Sequence, residues 1–115
     1  MQSEYAVRSL SALAQEHRLA AFRLLVQAGD DGLAAGTLAE RLDVPASSLS
    51  FHLAHLKQAG LIIQRRAGRS LIYSADYRAM GALMAFLTEN CCSGIAACAP
   101  ATTCLTTEDD ERNVA

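Results

Sequence analysis

The chain has 115 residues, a formal net charge of −2 and 51% hydrophobic residues, and 22 of its residues are alanine. This length fits one compact domain, and the high alanine content with only 5% aromatic residues favours packed helices over a strand-rich sandwich. No apolar run reaches the roughly 20 residues that span a bilayer, and the first residues lack the basic start of a secretory signal. We therefore expect a cytoplasmic protein with no membrane partner.

The charges are distributed unevenly along the chain. Four of the twelve acidic residues occupy positions 108–111, in a C-terminal stretch that has no apolar periodicity and that we expect to be flexible. Residues 41–75 carry five basic side chains against Asp43 alone, a local charge of +4. Because the local charge decides whether a surface can face phosphates, the weak overall charge does not exclude nucleic acid as a partner.

Apolar spacing predicts a mainly α fold of five helices and one β-hairpin. The helices are expected over 4–15, 16–27, 35–42, 46–59 and 77–90. Ser47 or Ser48 would support the first turn of the fourth helix, Gly60 would end it, and Asp76 would cap the last helix. Two β-prone runs, 61–66 and 69–74, flank the dipeptide Ala67-Gly68 and predict the hairpin.

Two short helices joined by a tight turn and followed by a basic hairpin are typical of a winged helix-turn-helix, whose second helix enters the major groove of DNA. Leu49, Leu53 and Leu56 repeat at helical spacing and are expected in the core, so the opposite face and its flank would meet DNA. The candidate DNA-binding residues are Ser47, Ser48, Ser50, Phe51, His52 and His55 on the helix and Arg65, Arg66 and Arg69 on the hairpin.

Each residue type suits such a contact. Hydroxyls reach base edges or phosphates, Phe51 suits a thymine methyl group, and arginines suit the backbone or the minor groove. The serines would equally suit a solvated face, and the two histidines could instead form hydrogen bonds within the fold. We favour DNA binding because pattern, placement and local charge agree.

All four cysteines, Cys91, Cys92, Cys98 and Cys104, fall within fourteen residues. Clustered thiols in a cytosolic chain indicate a metal or redox site more often than a disulfide framework, although any one of them could be a small buried apolar residue. If the last helix ends near Asn90, the first two thiols lie at the negative end of its dipole, which disfavours a low-pKa redox thiolate.

Four segments, at residues 16–19, 22–25, 50–62 and 68–73, resemble the ArsR/SmtB family of bacterial metal-responsive repressors. They read Glu-His-Arg-Leu, Phe-Arg-Leu-Leu, Ser-Phe-His-Leu-Ala-His-Leu-Lys-Gln-Ala-Gly-Leu-Ile and Gly-Arg-Ser-Leu-Ile-Tyr. The resemblance covers about residues 6–90. It implies a homodimer, paired through the first and last helices, that binds a palindromic operator in double-stranded DNA and represses transcription.

Two sensor patterns of that family are absent, because the third helix has no Cys-x-Cys and the last helix has no histidine. The run Cys91-Cys92-x5-Cys98 instead resembles the arsenite-responsive ArsR subgroup, which implies As(III) or Sb(III) as the inducer and these three thiolates as its ligands. Thiolates are the soft ligands that such ions prefer, whereas structural zinc takes four ligands at wider spacing. Cys104 has no counterpart in the pattern, and we expect it to be a bystander.

The sequence thus predicts three regions: a DNA-binding and dimerisation domain over 1–90, a metalloid-sensing segment over 91–104 and an acidic tail over 105–115.

The predicted function is repression of an arsenic-resistance operon, relieved by the metalloid. Two alternatives keep the repressor and change the signal, to methylarsenite on two cysteines or to a disulfide between Cys91 and Cys98 or Cys104. A thiol enzyme or metalloid carrier is disfavoured because the chain has no Cys-x-x-Cys motif and its basic hairpin would have no role.

Overall fold

The computed structural model describes residues 2–94, so the predictions for Cys98, Cys104 and the acidic tail fall outside the described residues. Five helices and three strands follow one another in chain order. They are α1 (Ser3–Leu13), α2 (Glu16–Ala28), β1 (Leu33–Ala34), α3 (Ala35–Leu42), α4 (Ala46–Gln58), β2 (Ile62–Ala67), β3 (Ser70–Ala75) and α5 (Tyr77–Leu87), and a 3-10 helix (Cys91–Gly94) follows α5. One compact unit extends to Leu83, and a second begins at Met84. None of the helices described is long and apolar enough to cross a membrane.

The fold confirms the predicted winged helix-turn-helix, with the five helices within three residues of their expected bounds. Leucines fill the core: the largest fully buried side chains are Leu25, Leu38, Leu49, Leu53, Leu56 and Leu61. The prediction that α4 turns Leu49, Leu53 and Leu56 inward is confirmed. One face of α4 is therefore fixed in the core, and its opposite face is left for solvent or a partner.

A tight turn between α3 and α4 sets the helix-turn-helix. Asp43 adopts the left-handed conformation (φ 55°), its N–H donates to the Glu40 carbonyl at 3.3 Å, and the Val44 N–H donates to the Ala39 carbonyl at 3.2 Å. These two bonds form a Schellman motif, which satisfies the last carbonyls of a helix and reverses the chain. Pro45 then precedes α4, and no side chain caps its N-terminus, so the prediction that Ser47 or Ser48 would support the first turn is wrong.

The hairpin belongs to a small antiparallel sheet in the order β1-β3-β2. The predicted turn at Ala67-Gly68 lies one residue later, at Gly68-Arg69, because Ala67 pairs with Ser70 and Gly68 supplies the positive φ (63°) that the turn needs. The sequence did not predict β1, which pairs Leu33 with Tyr73. This third strand ties the hairpin to the loop that follows α2.

The first and last helices differ from expectation in detail. α1 buries small residues, Ala6, Ser9 and Ala12, and leaves Val7 and Leu10 exposed. In α5, the Asp76 carboxylate accepts the Ala79 N–H at 3.1 Å, which confirms the predicted N-terminal cap.

α5 ends at Leu87, three residues before the predicted Asn90. The Thr88 hydroxyl donates to the Met84 carbonyl at 2.9 Å, and Asn90 adopts a left-handed φ of 58°, which cannot continue a helix. Cys91 and Cys92 therefore lie beyond the last turn of α5. Because the helix dipole acts only over that turn, the dipole argument about their thiolates does not apply.

Candidate nucleic-acid interface

The exposed face of α4 carries most of the candidate DNA-binding residues. Leu49 and Leu53 fix the opposite face in the core, so this face points to solvent. Its exposed members are Ser47, Ser48, Ser50, Phe51 and His55. Short hydroxyls at the beginning of the helix and an aromatic ring one turn later are groups that suit contact with base edges in a major groove.

Phe51 is an exposed aromatic ring at the centre of this face, with 60% of its surface accessible. Its ring lies edge-on to that of His55, with the centroids 4.5 Å apart and the planes at 69°. Such edge-to-face pairs are favourable by about 0.5–1.5 kcal/mol. Phe51 therefore presents an apolar surface to solvent, which suits contact with a thymine methyl group.

His52 differs from the other candidates on α4. It is half-buried, its ring centroid lies 5.5 Å from that of His17 on α2, and its Nδ1 atom is buried with no hydrogen-bond partner among residues 2–94. Burial lowers the pKa of His52, and the nearby charges of Arg18, His17 and His55 lower it further. The structure therefore places His52 against the beginning of α2, whereas helical periodicity had grouped it with His55.

The three hairpin arginines are all exposed, and their positions differ. Arg65 lies within β2, and its Nη2 donates to the Asp31 carbonyl at 2.8 Å, so it fastens the hairpin to the loop after α2. Arg66 follows it on β2, and Arg69 lies in the turn itself. The far end of the hairpin thus carries two positive charges, which suit contact with a DNA backbone.

A second basic feature, which the sequence did not indicate, is a cleft between α1, α2 and α4. It has a volume of about 580 Å³ and is lined by Arg8, Ser11, Ala12, Arg18, His55, Gln58 and Ala59. The Arg18 Nε donates to the Ala12 carbonyl at 2.7 Å and so holds its guanidinium between α1 and α2. No local pattern connects Arg8, Arg18 and Gln58, because only the tertiary fold brings the three helices together.

The predicted sensing residues are described only in part. Cys91 is half-buried, Cys92 is exposed, and their sulfur atoms lie 3.1 Å apart in the 3-10 helix after α5. Within residues 2–94 no group of three or more His, Cys, Asp or Glu side chains is placed to hold a metal ion. The described part of the chain therefore contains two adjacent thiols of the predicted three-thiolate set.

Known proteins share both the sequence and the fold. A family profile described as a helix-turn-helix domain matches residues 13–65. The transcriptional activator HlyU of Vibrio cholerae is 33% identical over 90 residues, which are 78% of this chain and 81% of that protein.

Two solved structures are similar to this one. An ArsR-like transcriptional regulator from Rhodococcus sp. RHA1 is 25% identical with a TM-score of 0.66, and the match covers 73% of this chain and 76% of that one. A homodimeric winged helix-turn-helix DNA-binding domain from Mycobacterium bovis, a possible ArsR-family regulator, is 25% identical with a TM-score of 0.60, covering 81% and 86%.

These likenesses agree with the geometry of α4 and the hairpin. They extend over most of the described chain, and the relatives regulate transcription rather than catalyse a reaction. The chain belongs to the ArsR-type family of winged helix-turn-helix transcriptional regulators, and it is a DNA-binding regulator, not an enzyme.

Proposed function

We propose that this regulator is a homodimeric repressor of an arsenic-resistance operon, and that it leaves its operator when As(III) or Sb(III) binds the thiolates of Cys91, Cys92 and Cys98. The observation that carries the proposal is the pair of sulfur atoms of Cys91 and Cys92, 3.1 Å apart just beyond α5. Membership of the family accounts for DNA binding, and the two adjacent thiols favour an inducer that binds sulfur.

The number and spacing of the cysteines favour a metalloid over zinc. Structural zinc takes four ligands, usually with cysteines in pairs separated by about two to four residues, which adjacent cysteines match poorly. The 3.1 Å between the two sulfurs shows that adjacent thiols can approach one another, and whereas structural zinc needs two more ligands, a three-coordinate ion needs only one more sulfur. Such ions are soft and prefer thiolates, and Cys98 supplies the third one only six residues after Cys92.

A second copy of the chain is the partner that fits the exposed apolar residues of the terminal helices. On α1, Val7 is 63% and Leu10 is 42% exposed, and on α5 Leu87 is 57% exposed. A symmetric dimer buries such residues against an identical partner, and the related Mycobacterium bovis domain is described as homodimeric. Leu10→Glu is expected to give a monomer by light scattering, whereas the matched change Ile63→Glu, on the exposed face of β2, is expected to leave the dimer intact.

Binding to DNA and release from it are tested together by fluorescence anisotropy. A labelled duplex from the promoter of the protein's own gene is saturated with reduced full-length protein, and then arsenite or, separately, Zn(II) is added. The proposal expects tight binding at low salt and release by arsenite but not by zinc. Binding that arsenite and antimonite both leave unchanged contradicts the proposed signal.

Cysteine variants distinguish the proposed ligands from the alternatives. Replacing Cys91, Cys92 and Cys98 together by serine is expected to preserve operator binding and abolish release, and Cys104→Ser, the matched control, is expected to release normally. Release that persists in Cys98→Ser but is lost in Cys91→Ser indicates a two-thiol site for a methylated arsenical, which the close pair of sulfurs also suits. Release by peroxide without any metalloid indicates a disulfide switch instead.

A further inference from the structure

The basic cleft described above is continuous with the exposed face of α4. Phe51, His55 and Gln58 follow one another at helical spacing, so they form one stripe, and the last two of them line the cleft. From Phe51 to Gln58 the helix advances about 10 Å, at 1.5 Å per residue. The major groove is about 12 Å wide, so an α4 whose first turns touch base edges brings its last turn to the bordering phosphates.

The cleft has the chemistry of a phosphate site. Arg8 and Arg18 approach it from two helices, Gln58 adds an amide, and no acidic side chain is among its lining residues in the described chain. A guanidinium has five N–H donors in a fork that matches phosphate, and the Arg18 bond to the Ala12 carbonyl uses one of them. Arg8 is exposed, with its guanidinium 5.4 Å from the centre of the Tyr5 ring.

On α1, Arg8 lies on a different side of the helix from the exposed apolar residues, whereas Ser11, which also lines the cleft, is only about 40° from Val7. At 100° per residue, Arg8 is about 100° from Val7 and about 160° from Leu10. The two exposed apolar side chains can therefore meet a second protomer while Arg8 faces the cleft.

We propose that this cleft binds a backbone phosphate of the operator, with Arg8 and Arg18 as its cationic ligands and Gln58 as a neutral donor. This inference rests on the proposed operator binding and adds to it a third contact, besides α4 and the hairpin. The contact carries no sequence information of its own. It fixes how far α4 enters the groove, because the same helix carries Phe51 at the bases and Gln58 at the phosphate.

Salt dependence of operator binding tests the contact. Each neutralised phosphate contributes about 0.9 to the slope of log affinity against log salt. Full-length Arg8→Ala is therefore expected to lower that slope by about 0.9 per protomer and to weaken binding about eightfold per protomer at 0.1 M salt. Arg8→Lys, which keeps the charge, is expected to restore most of the slope.

The control is Arg23→Ala, which removes the same charge from an exposed position on the other side of α2, about 140° from Arg18. Its slope is expected to match that of the wild type. If Arg8→Ala and Arg23→Ala lower the salt slope equally, the effect is one of general charge, and the proposal is overturned. Wild-type protein that shows no salt-dependent binding to the promoter duplex would refute the proposed function itself, which keeps the two failures distinct.

Neutral methylphosphonate linkages, placed one at a time along the operator, locate the phosphate. At one position in each half-site, the neutral linkage is expected to weaken operator binding by the wild type and to leave binding by Arg8→Ala unchanged. If every linkage affects the two proteins equally, Arg8 contacts no phosphate and the proposal fails. In a separate arm, 10 mM inorganic phosphate at constant ionic strength is expected to leave the Arg8-dependent difference in affinity unchanged, and loss of that difference would indicate a site for a free anion instead.

Discussion

Among the glycines from Gly29 to Gly81, Gly32 is the one where an added methyl group would meet close neighbours. Its φ is +71°, and a Cβ there would overlap the Tyr73 carbonyl oxygen and lie 3.0 Å from the carbonyl carbon and 3.1 Å from Ile72 Cγ2. Both neighbours belong to β3, where Leu33 and Ala34 of β1 pair. Gly60, the residue that ends α4, has a similar φ of +82° but nothing within 4 Å of such a Cβ. The two glycines therefore separate conformational strain from steric overlap.

The expected magnitudes follow from this difference. A left-handed conformation destabilises an alanine by about 1–2 kcal/mol, and the lower entropy of the unfolded alanine chain offsets about 0.4–1 kcal/mol of this. Gly60→Ala should therefore lower the free energy of unfolding by about 1 kcal/mol. Gly32→Ala carries the same loss plus about 1–3 kcal/mol of overpacking against a backbone that cannot rotate away. We therefore expect Gly32→Ala to lower the free energy of unfolding by about 3 kcal/mol.

Urea denaturation of the reduced full-length protein, followed by far-ultraviolet circular dichroism, measures both variants. With a slope of about 2 kcal/mol per molar urea, the two midpoints should differ by about 1 M. Equal midpoints for Gly32→Ala and Gly60→Ala would refute the reasoning, because they would show that β3 moves away at no cost. A changed slope in one variant would show instead that the two-state comparison does not hold.

Two further predictions concern contacts between helices. Because the pKa of His52 is lowered in the folded state, the unfolded chain takes up its proton first, so the free energy of unfolding should fall as pH drops below about 6.5. His52→Gln should flatten that fall in urea titrations from pH 7.5 to 5, and an unchanged profile would contradict the assignment to His52. The Tyr77 hydroxyl donates to the carbonyls of Val26 at 2.8 Å and Leu25 at 3.3 Å. Both carbonyls belong to the last turn of α2, where a helix has no partners of its own for them. Tyr77→Phe should therefore lower the free energy of unfolding by about 1–2 kcal/mol in the same assay. A loss near zero would indicate that solvent already satisfies these carbonyls.

The elements that sequence reasoning predicted well are those with strong local signals. Leu49, Leu53 and Leu56 repeat at helical spacing, and Gly60 ends α4 as expected, with a Schellman motif that joins Leu61 to Leu56. The hairpin followed from two β-prone runs around Gly68. These features depend on neighbours within a few residues, which the sequence displays directly.

The features that sequence reasoning missed depend on residues that are distant in the chain. β1 has two residues and exists because β3 pairs with it some 40 residues later. Arg8 and Gln58 share a cleft although they are fifty residues apart in the sequence. Periodicity also grouped His52 with His55, because it gives direction around a helix but not which neighbouring helix covers that side.

The arrangement of the histidines has a practical consequence. The chain contains three, His17, His52 and His55. The rings of His17 and His52 are 5.5 Å apart, and the centroid of the Phe51 ring lies 5.9 Å from that of His52 and 4.5 Å from that of His55. Their imidazole proton resonances therefore report on α4 and its contact with α2. Operator titration should shift the signal of His55 directly and that of His17 only through α4, so the two signals report separately on α4 at the DNA and on its contact with α2.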